Sequence, residues 1–201
     1  MRFLWAQAVQ TTCAYCKSVL VRQDLDLARV GLQADFPVTG SPIQVGTEGT
    51  WRGTTFVVVG RLTYQWARGR WNEWHCRRSD GTSAWLSDAQ LEYAMTIAAD
   101  PRSVSSDALP DVHQVKVGDH FRWRDVTYAV ANIVEAQYVG TEGELPFTTS
   151  GKSTSTFVDL VSDDGRFATV DGTEQPPLLY LGEYVTFDDL ALQELRAFEG
   201  W

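Results

Sequence analysis

The pattern Gly–x4–Trp–Arg occurs twice in the chain, at Gly46…Trp51-Arg52 and, 72 residues later, at Gly118…Trp123-Arg124. The register extends beyond the signature without a gap. Ile43 aligns with Val115, Val45 with Val117, Thr55 with Thr127, Phe56 with Tyr128 and Val58 with Val130. Self-similarity at a fixed period marks a repeated unit that packs against its copy. The matched positions are rich in β-branched and aromatic side chains, which suit a pleated, half-buried surface. The repeated element is therefore expected to be a β-unit, and it carries no catalytic signature.

Punctuation around the motifs divides the chain into a lead-in over 1–40, a first β-unit over 41–98, a linker over 99–112 and a second β-unit over 113–201. In the first unit, Thr54–Trp66 reads as a long strand with a bulge or bend at Gly60, and Arg70–Arg77 alternates like a strand. Asp80-Gly81 reads as a hairpin turn. The stretch from Ser87 fits a capped helix or a turn and a strand from Glu92, and the alternation of Tyr93, Met95 and Ile97 favours the strand. In the second unit Asp164-Gly165 is the matching turn, Val139–Gly151 reads as an inserted loop, and Asp188–Ala197 as a short helix with an acidic start. The expected fold is all-β: two pseudo-repeated small antiparallel barrels or rolls with few short helices.

Charge is partitioned between the units. Residues 1–100 hold ten Lys/Arg against nine Asp/Glu, and residues 101–201 hold seven against seventeen, so the second half carries the excess behind a net charge of −9. An acidic field repels phosphate backbones, which argues against nucleic acid, and attracts basic protein surfaces or small cations. The basic and acidic halves could also dock on each other, within one chain or in a homo-oligomer. No stretch approaches the ~20 apolar residues of a membrane span, and the start is too short and too polar for a signal peptide, so the expected location is the cytoplasm.

Candidate sites are few. Cys13 and Cys16 form a Cys-x-x-Cys pair, readable as a redox pair or a zinc knuckle. A strand-like continuation favours the knuckle. Two thiols are half of a structural zinc site, so no cofactor is expected unless further ligands come from an upstream segment or another chain. Glu73 and His75 lie two apart on one strand face, suited to acid/base work, to metal ligation or to a surface salt bridge. Glu142 and Glu144 flank Gly143 where a binding loop is expected. Trp51 and Trp123 complete the candidate binding residues. No phosphate loop, nucleophile elbow or His-Glu-x-x-His pattern occurs.

Several runs, taken in order, carry a family resemblance. They are Ser41-Pro42-Ile43-Gln44-Val45-Gly46-Thr47-Glu48-Gly49, Val59-Gly60-Arg61, Trp71-Asn72-Glu73-Trp74-His75 and Trp85-Leu86. They continue with Gly143-Glu144-Leu145-Pro146-Phe147, Asp159-Leu160, Arg166-Phe167-Ala168-Thr169 and Gly182-Glu183. Together they resemble the bacterial domain-of-unknown-function family 4178. The resemblance implies no established activity. It implies an N-terminal zinc ribbon of two Cys-x-x-Cys knuckles, of which this sequence holds one. It also implies a setting near polyamine metabolism or membrane-stress proteins. The expected function is a non-enzymatic binding module for a protein or a small cationic ligand, with no nucleic acid and no direct membrane insertion. An enzyme acting on amine-containing substrates through Glu73, His75 or Glu144 is the alternative, and a zinc-ribbon nucleic-acid binder is disfavoured by charge.

Overall fold

Antiparallel pairing of neighbouring strands, the cheapest long-range contact for a chain cut by tight turns, dominates the architecture. The computed structural model describes residues 3, 5–13, 15–23, 26–32, 40–104, 109–149 and 153–197. A hairpin region comes first: β1 (Gln10–Thr12), β2 (Ser18–Gln23) and β3 (Asp26–Leu32). The first unit holds β4 (Glu48–Trp51), β5 (Thr54–Trp66), β6 (Gly69–Arg78), β7 (Ser83–Ala89) and β8 (Glu92–Ala98). The second holds β9 (His120–Trp123), β10 (Val126–Leu145), β11 (Thr154–Ser162), β12 (Arg166–Asp171) and β13 (Leu178–Val185). The all-β expectation holds.

The strands of the two units pair with each other as well as among themselves. Each unit forms a meander, β5-β6-β7-β8 and β10-β11-β12-β13. The meanders join at both ends, through β8–β13, where Thr96 faces Gly182, and through β5–β10, where Leu62 faces Thr141. The result is a closed antiparallel circuit of eight strands, which leaves its members without free edges. At the β5–β10 join, Gly60 faces Gly143, and a Cβ on Gly60 would lie 2.2 Å from the Glu144 carbonyl oxygen. Only glycine permits that approach.

Two register slips give each long strand two jobs. Pairing shifts between Val58 and Gly60 in β5 and between Val130 and Asn132 in β10. A bulge of this kind moves later side chains to the opposite face. Before the slip, Phe56 and Val58 face the first unit's own core with Trp74, Leu86 and Met95. After it, Leu62 and Tyr64 turn into an interior shared with Val134 and Ala136 of β10. In β10, Tyr128 and Val130 before the slip face the second unit's core with Val158, Leu160 and Val170. The outer face of the first meander is covered by Leu190 and Leu192, and that of the second by Val112 and Val115.

The motif segments carry matching backbone bonds. Gly46 N donates to Val58 O at 2.8 Å and Gly118 N to Val130 O at 2.9 Å, while Val58 N and Val130 N return bonds to Thr47 O and Asp119 O. The hairpin turns at Asp80-Gly81 and Asp164-Gly165, and the strand from Glu92, lie where expected.

Other expectations give way. Val139–Leu145 is the end of the 20-residue β10 and not loop, because β5 and β1 both offer it backbone partners. Residues 150 and 151, the end of that expected loop, lie outside the described residues, as do 152, 33–39 of the lead-in and 105–108 of the linker. The expected C-terminal helix is a single 3-10 turn, Asp188–Leu190, followed by Ala191 with φ 46°.

Candidate functional site

The circuit encloses a cavity of about 490 Å³, lined by side chains from all eight strands. Alternation explains its lining. In each meander one parity faces that unit's core, and the other faces the cavity. Thus Trp74 and Cys76 of β6 are core residues, while Trp71 and Glu73 line the cavity. In the second half Phe157, Asp159, Thr169, Asp171 and Tyr180 do the same. Rings make up much of the wall: Tyr64 stacks on Trp71 at 5.2 Å, and Phe157 meets both edge-on at 5.0 and 5.5 Å. Trp85, stacked on Phe147 at 5.8 Å, adds a further ring pair to the lining. Exposed Arg68 and Gln90 in the β5–β6 and β7–β8 turns, and exposed Arg70 and Glu92 at the starts of β6 and β8, line the cavity at a rim, as do exposed Ala131 and Asn132 on β10.

Three carboxyl groups line this cavity wall. Glu73 accepts hydrogen bonds from Trp71 Nε1 at 2.8 Å and from Ser87 Oγ at 2.8–2.9 Å. Burial nevertheless lifts its pKa from 4.5 to about 7, the two bonds opposing the rise and the charges of Asp159 and Asp171 adding to it. Part of its surface remains open, but open to the cavity, which is why a partly accessible carboxyl is so poorly solvated. Asp159 is raised as well, chiefly by burial, with bonds from Thr169 and Asn132 opposing. Asp171 holds the backbone N–H of Thr173 at 2.8 Å and also its hydroxyl. Burial, then the charges of Asp171 and Glu73, pushes the phenols of Tyr64 and Tyr180 upward, so both stay neutral donors. Among the described residues, no group of three or more His, Cys, Asp or Glu side chains is placed to hold a metal ion.

The other sequence candidates lie elsewhere. His75 shares its strand face with Glu73 but is fully buried behind Trp85, with ring centroids 4.9 Å apart, and under Trp5 at 4.8 Å. Its Nδ1 faces the Glu144 carbonyl at 3.0 Å, so Nδ1 carries the proton, and Nε2 accepts from Ser83 Oγ at 2.6 Å. Burial lowers its pKa to about 4, against the opposing backbone bond, and keeps it neutral. The Glu144 carboxylate takes the Trp5 backbone N–H at 2.7 Å and so pins the N-terminal segment. Glu142 pairs with the buried Arg61 guanidinium at 2.9 Å. Trp51 donates Nε1 to Glu183 at 2.7 Å, and Trp123 sits in the second unit's core. Of the six candidate binding residues, the cavity includes Glu73 alone.

Cys13 and Cys16 flank the β1–β2 turn, where Lys17 N bonds Cys13 O at 3.0 Å. Two thiols at a hairpin tip suit half of a zinc knuckle. Cys76, the remaining thiol, is buried in the first core, where burial raises its pKa and keeps it protonated.

Residues 44–187 match the family described as Domain of unknown function (DUF4178). The chain belongs to the DUF4178 family. Every residue lining the cavity falls within this DUF4178 stretch, whereas Trp5 and the Cys pair precede it. No curated protein and no solved structure matches the chain.

The sequence contained a signal for the residues it did not single out. Asp159 shares parity with Phe157, and Asp171 with Phe167 and Thr169, so polar and aromatic side chains alternate onto one face of each strand. A polar group at an inward position of a closed sheet points at a cavity.

Proposed function

We propose that this DUF4178 chain is a non-enzymatic binding module whose barrel interior takes up a small organic cation bearing an amino group. One observation carries the reading. Glu73, Asp159 and Asp171 line an aromatic cavity, and the cations among its described lining residues are two exposed arginines, Arg68 in the β5–β6 turn and Arg70 at the start of β6. A carboxyl such as Glu73, whose pKa is raised by burial and further by neighbouring carboxylates, gains most from a ligand carrying positive charge. Tyr and Trp faces favour the same ligand. The carboxyls are spread round the wall and not gathered on one point, which fits an organic ligand better than a bare metal ion. A bacterial, cytoplasmic setting linked to polyamine or membrane-stress systems belongs to the same proposal.

The test is calorimetric titration with pentylamine and with 1-pentanol, its uncharged counterpart. Pentylamine is expected to bind and pentanol not. Glu73→Gln is expected to weaken pentylamine about tenfold, the effect of losing one charge-assisted contact. Equal binding of amine and alcohol sinks the reading.

A second reading, an enzyme acting on amines, draws on one observation: a carboxyl with a pKa about 7 in a cavity suits a general acid or base. His75 and Glu144 are committed to packing and cannot assist Glu73 there. Consumption of an amine on prolonged incubation, abolished in Glu73→Gln, would favour it.

A further inference from the structure

The cavity is polarised along its length. Its acids stand on the strand walls, at Glu73 of β6, Asp159 of β11 and Asp171 of β12. Its arginines stand at one rim, where Arg68 and Arg70 are both exposed on the β5–β6 connection. Arg68 lies over the Trp66 ring at 5.6 Å, and Arg70 donates Nε to Gln65 Oε1 at 3.1 Å. Among the described residues neither has a carboxylate within ion-pair distance, although Glu92 lines the same rim.

The rim itself is built and held. Gln90 Nε2 donates to Arg68 O at 3.1 Å, tying the β7–β8 turn to the β5–β6 turn. That second turn places Gln90 and Leu91 at φ 54° and 73°, a left-handed pair that side chains other than Gly, Asn and Asp rarely adopt. Such backbone strain persists only where the surroundings impose it. Here the tie holds the Arg68 backbone at the edge of the cavity.

We infer that the ligand is a zwitterion, with an ammonium end held by the wall carboxyls and a carboxylate end held at the Arg68–Arg70 rim. This rests on the cation-binding reading above and narrows it. Arg70 and Glu73 are three positions apart on β6, so their backbones are separated by about 10 Å and their side chains leave opposite faces of the strand, Arg70 lining the cavity only from its rim. That distance suits an ω-amino acid whose charges are separated by several methylenes, and the stem between them would lie against Trp66, Trp71 and Tyr64. An α-amino acid with an uncharged side chain, whose two charges sit on one carbon, cannot reach both ends.

Titration with 6-aminohexanoic acid, pentylamine and 1,5-diaminopentane tests this. 6-Aminohexanoic acid is expected to bind about fivefold tighter than pentylamine, the increment of a partly exposed, bidentate ion pair. The gap is expected to close in the double variant Arg68→Gln, Arg70→Gln, whose exposed side chains leave the barrel untouched, and to shrink with salt while pentylamine binding changes less. If pentylamine or 1,5-diaminopentane binds as tightly as the amino acid, the rim does not read an anion and the zwitterion assignment fails, with the cation-binding reading intact. If none of the three binds, both readings fail together. An unchanged preference in the double variant also overturns the assignment.

Discussion

Trp51 and Trp123 stand at the same place in two segments with matching backbone bonds, yet their sockets differ. Trp51 is 5% exposed, donates its indole N–H to Glu183 of the opposite unit, and carries Arg52 and Arg78 on its ring at 4.6 and 5.5 Å. Trp123 is half-buried, carries Arg124 on its ring at 5.8 Å, and has an enclosed indole N–H that no described residue bonds. The cavity walls differ in the same way. Counted back from the turn glycines Gly81 and Gly165, Glu73 corresponds to Phe157 and His75 to Asp159. The shared feature of the segments is a backbone path, while the chemistry attached to it belongs to each unit separately.

The largest test of that contrast is truncation. Trp51→Ala is expected to cost about 4 kcal/mol and Trp123→Ala about half of that, read from urea midpoints, because a fully enclosed ring leaves the larger void. Equal losses would show that the two sockets are energetically alike.

The second test lies in the walls. Glu73 has a folded pKa above its unfolded one, so the folded state binds the extra proton between pH 4.5 and about 7, and stability falls as pH rises through that window. Glu73→Gln is expected to stabilise the protein by about 2 kcal/mol at pH 8 and to change little at pH 4. His75 works in the opposite direction. Its folded pKa of about 4 lies below 6.5, so its contribution is complete above pH 6.5 and is lost as pH falls toward 4. Melting profiles of Glu73→Gln should therefore retain the acid-side loss and lack the alkaline-side one. An identical pH profile for the parent would show that Glu73 titrates as it does in water.

The smallest test isolates the two indole nitrogens. Trp51→Phe is expected to cost about 1 kcal/mol through its lost bond to Glu183, and Trp123→Phe to be neutral or slightly stabilising, since it removes an enclosed, unbonded N–H. The Arg52–Glu183 pair is mostly solvent-facing, at 52% and 36% exposure, so Arg52→Ala is expected to change stability by less than about 0.5 kcal/mol. Reversal of the two Phe effects would break the comparison at the level of single atoms.

Local features of this fold were legible in the sequence because their causes are local. Asp80-Gly81 and Asp164-Gly165 announce hairpins, and the alternation of Tyr93, Met95 and Ile97 announces β8. The join of β5 to β10 was not legible, because it rests on partners some 80 residues apart and on glycines that otherwise read as turns. Gly140 and Gly143 made Val139–Leu145 resemble a loop, although Gly143 serves close backbone approach within a strand and Gly140 follows a register slip. Of the candidate site, Glu73 could be singled out, but its spacing to His75 could not tell a cavity position from a packed one. The difference is set by Trp85, which stands beside His75.

The slips at Val58/Gly60 and Val130/Asn132 impose a parity rule on length. Val59 is the residue left over at the first slip, so deleting it would keep Leu62 opposite Glu73, whereas deleting Thr63 would set Tyr64 opposite Asn72 on the other face and bring Gln65 into the cavity. Losing two residues would shorten β5 but keep each remaining side chain on its own side. Away from the slips, length variation along β5 and β10 is thus confined to even steps, and there the interior behaves like a reading frame that a single missing residue scrambles.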